Sequence, residues 1–93
     1  MLANILTIAG SDSGGGAGVQ GDLKSISATG AYGLSVVTAL TAQNTVGVDA
    51  IYPVTTSFLK QQMQAVARDI QIDAIKIGML GTPEVIDAVA EFV

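Results

Sequence analysis

The sequence predicts an α/β fold in three layers, a mostly parallel sheet with helices on both faces. Three observations carry this. β-Branched apolar runs alternate with stretches whose apolar residues recur every three or four positions. The runs are apolar on both sides, as strands covered by helices on two faces are. A glycine-rich loop joins the first strand to the first helix, where open α/β sheets place their ligands. The order reads βαβαβα, and parallel strands need such helical crossovers.

Leu2–Ala9 (LANILTIA) is the first strand, ending at Gly10. Ser11-Asp12-Ser13-Gly14-Gly15-Gly16 is a loop by composition. From Ala17 the period is helical, with Val19, Leu23 and Ile26 on one side, and Gly30 is placed to end that helix. Tyr32–Ala42 (YGLSVVTALTA) reads as a second strand and Gln43–Pro53 as a turn-rich connection. Thr55 or Thr56 caps a second helix that carries Leu59, Met63, Val66 and Ile70. Asp73–Met79 (DAIKIGM) is a third strand, with Ile75, Ile77 and Met79 on one face. Thr82 as N-cap, Pro83 in the first position and Glu84 beside the positive helix end start a third helix. Its expected apolar stripe is Val85, Ile86, Val89 and Phe92. With no repeat and no linker, residues 1–93 read as part of one domain.

Composition removes several functions. Of the 93 residues, 49% are hydrophobic and 13% charged, against a usual charged share of about 25%, so the chain is not disordered. Four Lys+Arg against eight Asp+Glu give a net charge of −4, which leaves no basic footprint for nucleic acid. Without Cys there is neither a disulfide framework nor a thiolate metal site. Without His the commonest general base is missing, and a Ser–His–Asp triad with it. Positions 25–48 carry no charge, but Ser, Thr, Gly, Gln and Asn interrupt them, and the densest apolar part, Leu34–Leu40, has the length of a strand. Met1–Asn4 has no basic residue, and Ile5–Ala9 is too short for a secretory signal. A cytoplasmic chain that spans no membrane is expected. Three strands are few beside the usual five or so, and the last apolar stripe runs on towards Val93 with no stop signal. With a mean hydropathy of +0.55, this suggests the amino-terminal part of a larger domain, or a chain that covers its apolar surface by pairing, as in a homo-oligomer.

Five of the 11 glycines fall between Gly10 and Gly18. Such a loop lets backbone N–H groups approach a ligand closely. A phosphate-binding P-loop is excluded, because no Gly is followed by Lys. Gly16-Ala17-Gly18-Val19-Gln20-Gly21 matches the dinucleotide fingerprint literally, but Gly10–Gly15 separate it from the strand and no acid follows at the required distance. A small-molecule site is the stronger expectation. Gln43 offers a donor and an acceptor suited to a heteroaromatic amine edge, or it bonds loop backbone. Asp22, like Asp69 and Asp73, reads first as a solvated acid. Lys76 stands inside a strand, where Lys is depleted, so it either snorkels at an edge or serves a site. Met79, at a strand's carboxyl end, fills core or touches ligand.

Thr7–Gln20 (TIAGSDSGGGAGVQ) followed by Asp22-Leu23-Lys24, then Tyr32-Gly33, Val36–Ala39, Thr41–Thr45 (TAQNT), Gly47-Val48 and Lys76–Gly81 (KIGMLG), resembles the hydroxymethylpyrimidine/phosphomethylpyrimidine kinases of thiamine biosynthesis. That family is similar to ribokinases and pyridoxal kinases, and the resemblance implies a ribokinase-like fold, here an incomplete βαβαβα portion. It implies phosphorylation of 4-amino-5-hydroxymethyl-2-methylpyrimidine and then of its monophosphate, with ATP and Mg2+. Gln43 would bond the aminopyrimidine edge and Met79 would pack on the ring. Gly10, Asp22 and the Thr41 backbone would line the pocket, and Asp12, Gly14, Gly15 and Gly16 would shape the loop beside it. Family members are considerably longer, and their ATP site and catalytic residue lie later in the chain. No catalytic residue is therefore expected here, and the isolated chain is expected not to turn over. Gly21 stands where the family often has Ala, at an expected cost of about 1 kcal/mol within a helix. A pyridoxal-type kinase and a non-catalytic small-molecule-binding module are the alternatives.

Overall fold

The computed structural model describes residues 2–93. Strand β1 (Asn4–Ala9) is the centre of a three-stranded parallel sheet. Helix α1 (Gly18–Ala28) returns the chain to β2 (Tyr32–Val37), which pairs with β1 from Asn4↔Tyr32 to Ala9↔Val37. A hairpin follows, built from β3 (Ala39–Gln43) and β4 (Val48–Pro53). Helix α2 (Thr56–Asp69) leads to β5 (Ala74–Ile77), which pairs with the other side of β1, and α3 (Pro83–Phe92) completes the order.

Alternation along β1 builds both faces of the sheet. Leu6 and Ile8 point one way and meet Leu34 and Val36 of β2, Leu59 and Met63 of α2, and Val85, Ala88 and Val89 of α3 in one buried cluster. Thr7 points the other way, towards α1, whose Val19 and Ile26 are buried. The three-layer arrangement is therefore present, with α1 on one face and α2 and α3 on the other. Local signals set the helix limits. Thr55 accepts a hydrogen bond from the Phe58 amide and Thr82 one from the Val85 amide, as N-caps do. Thr29 caps the end of α1 and Gly30 follows it. In α3 the inward residue is Ala88, while Ile86, expected in the stripe, is exposed.

The expected second strand, Tyr32–Ala42, is two strands. The ladder with β1 ends at Thr38, whose N–H donates to the Ala9 carbonyl while its own carbonyl accepts from Val54. The chain leaves the sheet there, and its apolar residues continue in β3. The expected turn-rich connection over Gln43–Pro53 holds β4 instead. The hairpin pairs Ala39↔Pro53 through Gln43↔Val48, with an irregularity between Ala42 and Gln43. Its tip is closed by Asn44, whose side-chain oxygen accepts from the Val46 and Gly47 amides. The third strand is shorter than the expected Asp73–Met79 and is an edge strand. Ile77 is 46% exposed, so burial on both faces holds for β1 and not for β5. A groove of about 660 Å³ runs along that edge beside Ile70, Ile72, Ile75 and Phe92. Among the described residues no helix is long and apolar enough to cross a membrane.

Candidate functional site

The carboxyl ends of β1, β2 and β5 face the same way, and Gly10, Thr38 and Gly78 follow them directly. A cleft of about 340 Å³ opens there, bordered by Gly10, Asp12, Thr41, Gln43, Lys76 and Met79. That volume suits a small heterocycle. Val48 and Ile51 of the hairpin add an apolar wall.

The loop below the cleft is organised by Asp12. This side chain is 6% exposed. One carboxylate oxygen accepts from the Gly14 amide at 2.7 Å, and the other from the Gly16 and Ala17 amides at 3.1 and 2.7 Å. The Ala17 bond is the main reason that this carboxyl lies below its ordinary range; burial pushes it up, and the amides of Gly14, Gly16 and Gly15 pull it further down. Ala17, the N-cap of α1, has no capping side chain of its own; Asp12 does that work from five residues upstream. Gln20 ties the loop back, accepting from the Asp12 amide at 2.7 Å and donating to the Ser11 hydroxyl at 2.7 Å.

Two glycines are needed here for space. Gly18 has φ +59°, and a Cβ on it would lie 2.3 Å from the Gly10 carbonyl oxygen. A Cβ on Gly21 would lie 2.8 Å from the Gly16 carbonyl oxygen. The helix propensity lost at Gly21 therefore accompanies a close approach of helix to loop.

The hairpin is fastened to this loop. Ser11 N–H donates to the Ala39 carbonyl at 2.8 Å. The Thr41 hydroxyl donates to the Ser11 carbonyl at 2.7 Å and lies 3.1 Å from Gln43 Oε1. Ser13 Oγ sits between the Gln43 carbonyl and amide, 2.6 Å from each. Gln43 is thereby held by its backbone, and its side-chain oxygen competes with the Ser11 carbonyl for the single Thr41 hydroxyl proton. Met79 is 85% exposed, a flexible apolar chain at the rim of the cleft.

Asp22 stands on α1 behind the cleft wall. Its Oδ2 accepts from the buried Thr7 hydroxyl at 2.6 Å. Lys76 Nζ reaches Oδ1 at 2.9 Å and Oδ2 at 3.0 Å. Burial raises this carboxyl, but the Thr7 and Lys76 hydrogen bonds and the Lys76 charge together bring it below its ordinary value. Of the residues singled out in the sequence, Gly10, Asp12, Thr41, Gln43 and Met79 border the cleft. Asp22 is one residue removed, behind Lys76. Gly14, Gly15 and Gly16 wrap Asp12 and stay outside the border. Sequence reasoning left Lys76 undecided between edge and site, and it missed the fastening roles of Ser11, Ser13 and Gln20. Thr7 carried a usable signal, as the one polar residue within Ile5–Ala9 (ILTIA).

The loop amides that could take a phosphate are occupied by Asp12, and no three His, Cys, Asp or Glu side chains among the described residues gather to hold a metal ion.

A parallel sheet covered on both faces, with a heterocycle-sized cleft at the strand ends, is an open α/β fold of the kind that the resemblance to ribokinase-like kinases implies. Solved structures bear this out. The phosphomethylpyrimidine kinase of Clostridium difficile 630 superimposes with a TM-score of 0.92 at 53% identity, covering 97% of this chain and 39% of that one. The Staphylococcus aureus pyridoxal kinase in complex with AMP-PCP and pyridoxal gives 0.87 at 38% identity, covering 99% and 34%. The chain belongs to the phosphomethylpyrimidine kinase family, whose sequence pattern matches residues 12–93. It is 54% identical over 91 residues to the hydroxymethylpyrimidine/phosphomethylpyrimidine kinase of Haemophilus influenzae, 98% of this chain and 34% of that protein. The chain thus spans about a third of the length of the relatives it matches.

Proposed function

We propose that this chain forms the pyrimidine-holding part of a cytoplasmic kinase that phosphorylates 4-amino-5-hydroxymethyl-2-methylpyrimidine and then its monophosphate, in the synthesis of thiamine. The observation that carries this reading is Gln43, anchored at its backbone by Ser13, on one cleft border with the exposed side chain of Met79. An amide can meet the amino group and ring nitrogen of an aminopyrimidine as donor and acceptor together, and a thioether chain packs well on an aromatic ring. The relatives' names agree, and identity is higher to the pyrimidine kinases, at 53–54%, than to the S. aureus pyridoxal kinase, at 38%. ATP and Mg2+ are the phosphoryl donor and its ion in this reading. The reading assigns their site to parts of the kinase outside this chain. The chain's own residues bind and orient the acceptor; transfer also needs groups that neutralise the charge on the phosphoryl leaving ATP, which this reading assigns to the rest of the kinase.

The test is a titration of the purified chain with the pyrimidine, followed by amide chemical shifts. Saturable shifts are expected at Gln43, Met79, Gly10 and the hairpin. Gln43→Ala is expected to weaken binding about tenfold, the scale of an unmet polar contact in a binding site. Shifts confined to the β5 groove, or equal binding by the Ala variant, would overturn the assignment.

A further inference from the structure

The Lys76–Asp22 pair adds a charge to the cleft that the ring contacts do not use. Lys76 is the one cationic side chain on the cleft border among the described residues. Its side chain is 54% exposed, against 20% for Asp22. Thr7 and Lys76 both donate to Asp22, so both carboxylate oxygens are taken. Thr7 lies in the central strand and is buried, which anchors the pair to the rigid part of the sheet. Asp12, the other acid at the cleft, also has both oxygens occupied, by loop amides. Every carboxylate oxygen of the two acids thus has a partner within the chain, Asp22 lies off the cleft border, and the cationic group on that border is the Lys76 ammonium. The ammonium has three donors, and Asp22 lies on only one side of it.

The geometry points to Lys76 as the residue that receives the phosphate of a monophosphorylated pyrimidine, so that the cleft holds the monophosphate more tightly than the free alcohol. The inference rests on the pyrimidine reading proposed above and deepens it. The two acceptors share one ring and differ in one anionic group, so contacts from Gln43 and Met79 cannot tell them apart. A charge-assisted hydrogen bond to phosphate can. Lys76 and Asp22 together carry no net charge, so the preference arises at contact range rather than through long-range attraction. At a half-exposed site, about tenfold is the expected gain.

The experiment measures dissociation constants of the chain for 4-amino-5-hydroxymethyl-2-methylpyrimidine and for its monophosphate. In the unmodified chain the monophosphate is expected to bind about tenfold more tightly. In Lys76→Met the ratio of the two constants is expected to fall within about twofold of unity, and in Lys76→Arg to be kept, since Arg also donates to phosphate. The amide spectrum of each variant reports that the sheet is intact. An equal loss for both compounds in Lys76→Met, with the ratio preserved, makes Lys76 structural and overturns the inference. So does a ratio near one in the unmodified chain. Binding of neither compound overturns the pyrimidine reading itself, and this inference with it.

Discussion

Asp12 shows how a single residue turns a loop into a scaffold. Glycine-rich loops at helix starts commonly cradle a ligand's phosphate. Here the amides converge on the chain's own carboxylate, and the proposed ligand would meet Gln43 and Met79 on the cleft border. The arrangement has a pH signature. The folded-state carboxyls of Asp12 and Asp22 both lie below their ordinary value, which is about 3.9. The folded state therefore holds fewer protons than the unfolded chain in acid. Their stabilisation is complete above that ordinary value and is lost as pH falls through the lower folded values. Thermal midpoints taken from pH 7 down to pH 2 are expected to hold until about pH 4 and then drop. Asp12→Asn, which has no proton to gain, is expected to shallow that drop; an unchanged acid limb would remove Asp12 from the account. By residue type Gln43 and Met79 stood open between loop or core and ligand; the resemblance singled them out, and both stand on the cleft border. Lys76 was not legible in the sequence, since its meaning depends on Asp22, 54 positions away, and no local pattern joins the two.

Among the elements, the hairpin was the least legible. Its strand β4 (VDAIYP) is exposed throughout, so no burial pattern imposes the alternation by which a strand is recognised. The break at Thr38 was hidden for the opposite reason, as apolar residues continue across it. Helices α1, α2 and α3 were legible because each carries a one-sided stripe and a terminus signal, such as Thr82-Pro83. The hairpin nonetheless fixes the site, since Gln43 is its residue and Ser13 clamps it to the loop. Ser13→Ala removes both clamping bonds. It is expected to destabilise this docking by about 0.5–1 kcal/mol, the range for exposed hydrogen bonds. Hydrogen exchange at Gln43 should then speed up while β1 amides are unaffected. Equal rates in the variant and the parent would show that the hairpin is held by other contacts.

For the molecule as a whole, the three-layer arrangement was predictable from strand–helix alternation, and it decides where the cleft lies. One side of the sheet is tightly filled. β1 is flanked on both edges and covered on both faces, with Leu6, Ile8, Leu59 and Met63 at its core. The β5 side is open, with a groove larger than the candidate site. Cleft size alone would have chosen that groove. The position of the smaller cleft at three strand ends, and its polar groups held by second contacts, select it instead. The central proposal is that this chain by itself selects a pyrimidine over a pyridoxine-type ring. Its most direct test is a calorimetric titration of the purified chain with 4-amino-5-hydroxymethyl-2-methylpyrimidine, repeated in the presence of excess pyridoxine and then of ATP. The account predicts one-to-one pyrimidine binding that pyridoxine displaces weakly and ATP leaves unchanged. Stronger binding of pyridoxine than of the pyrimidine, or displacement of the pyrimidine by ATP, would contradict it.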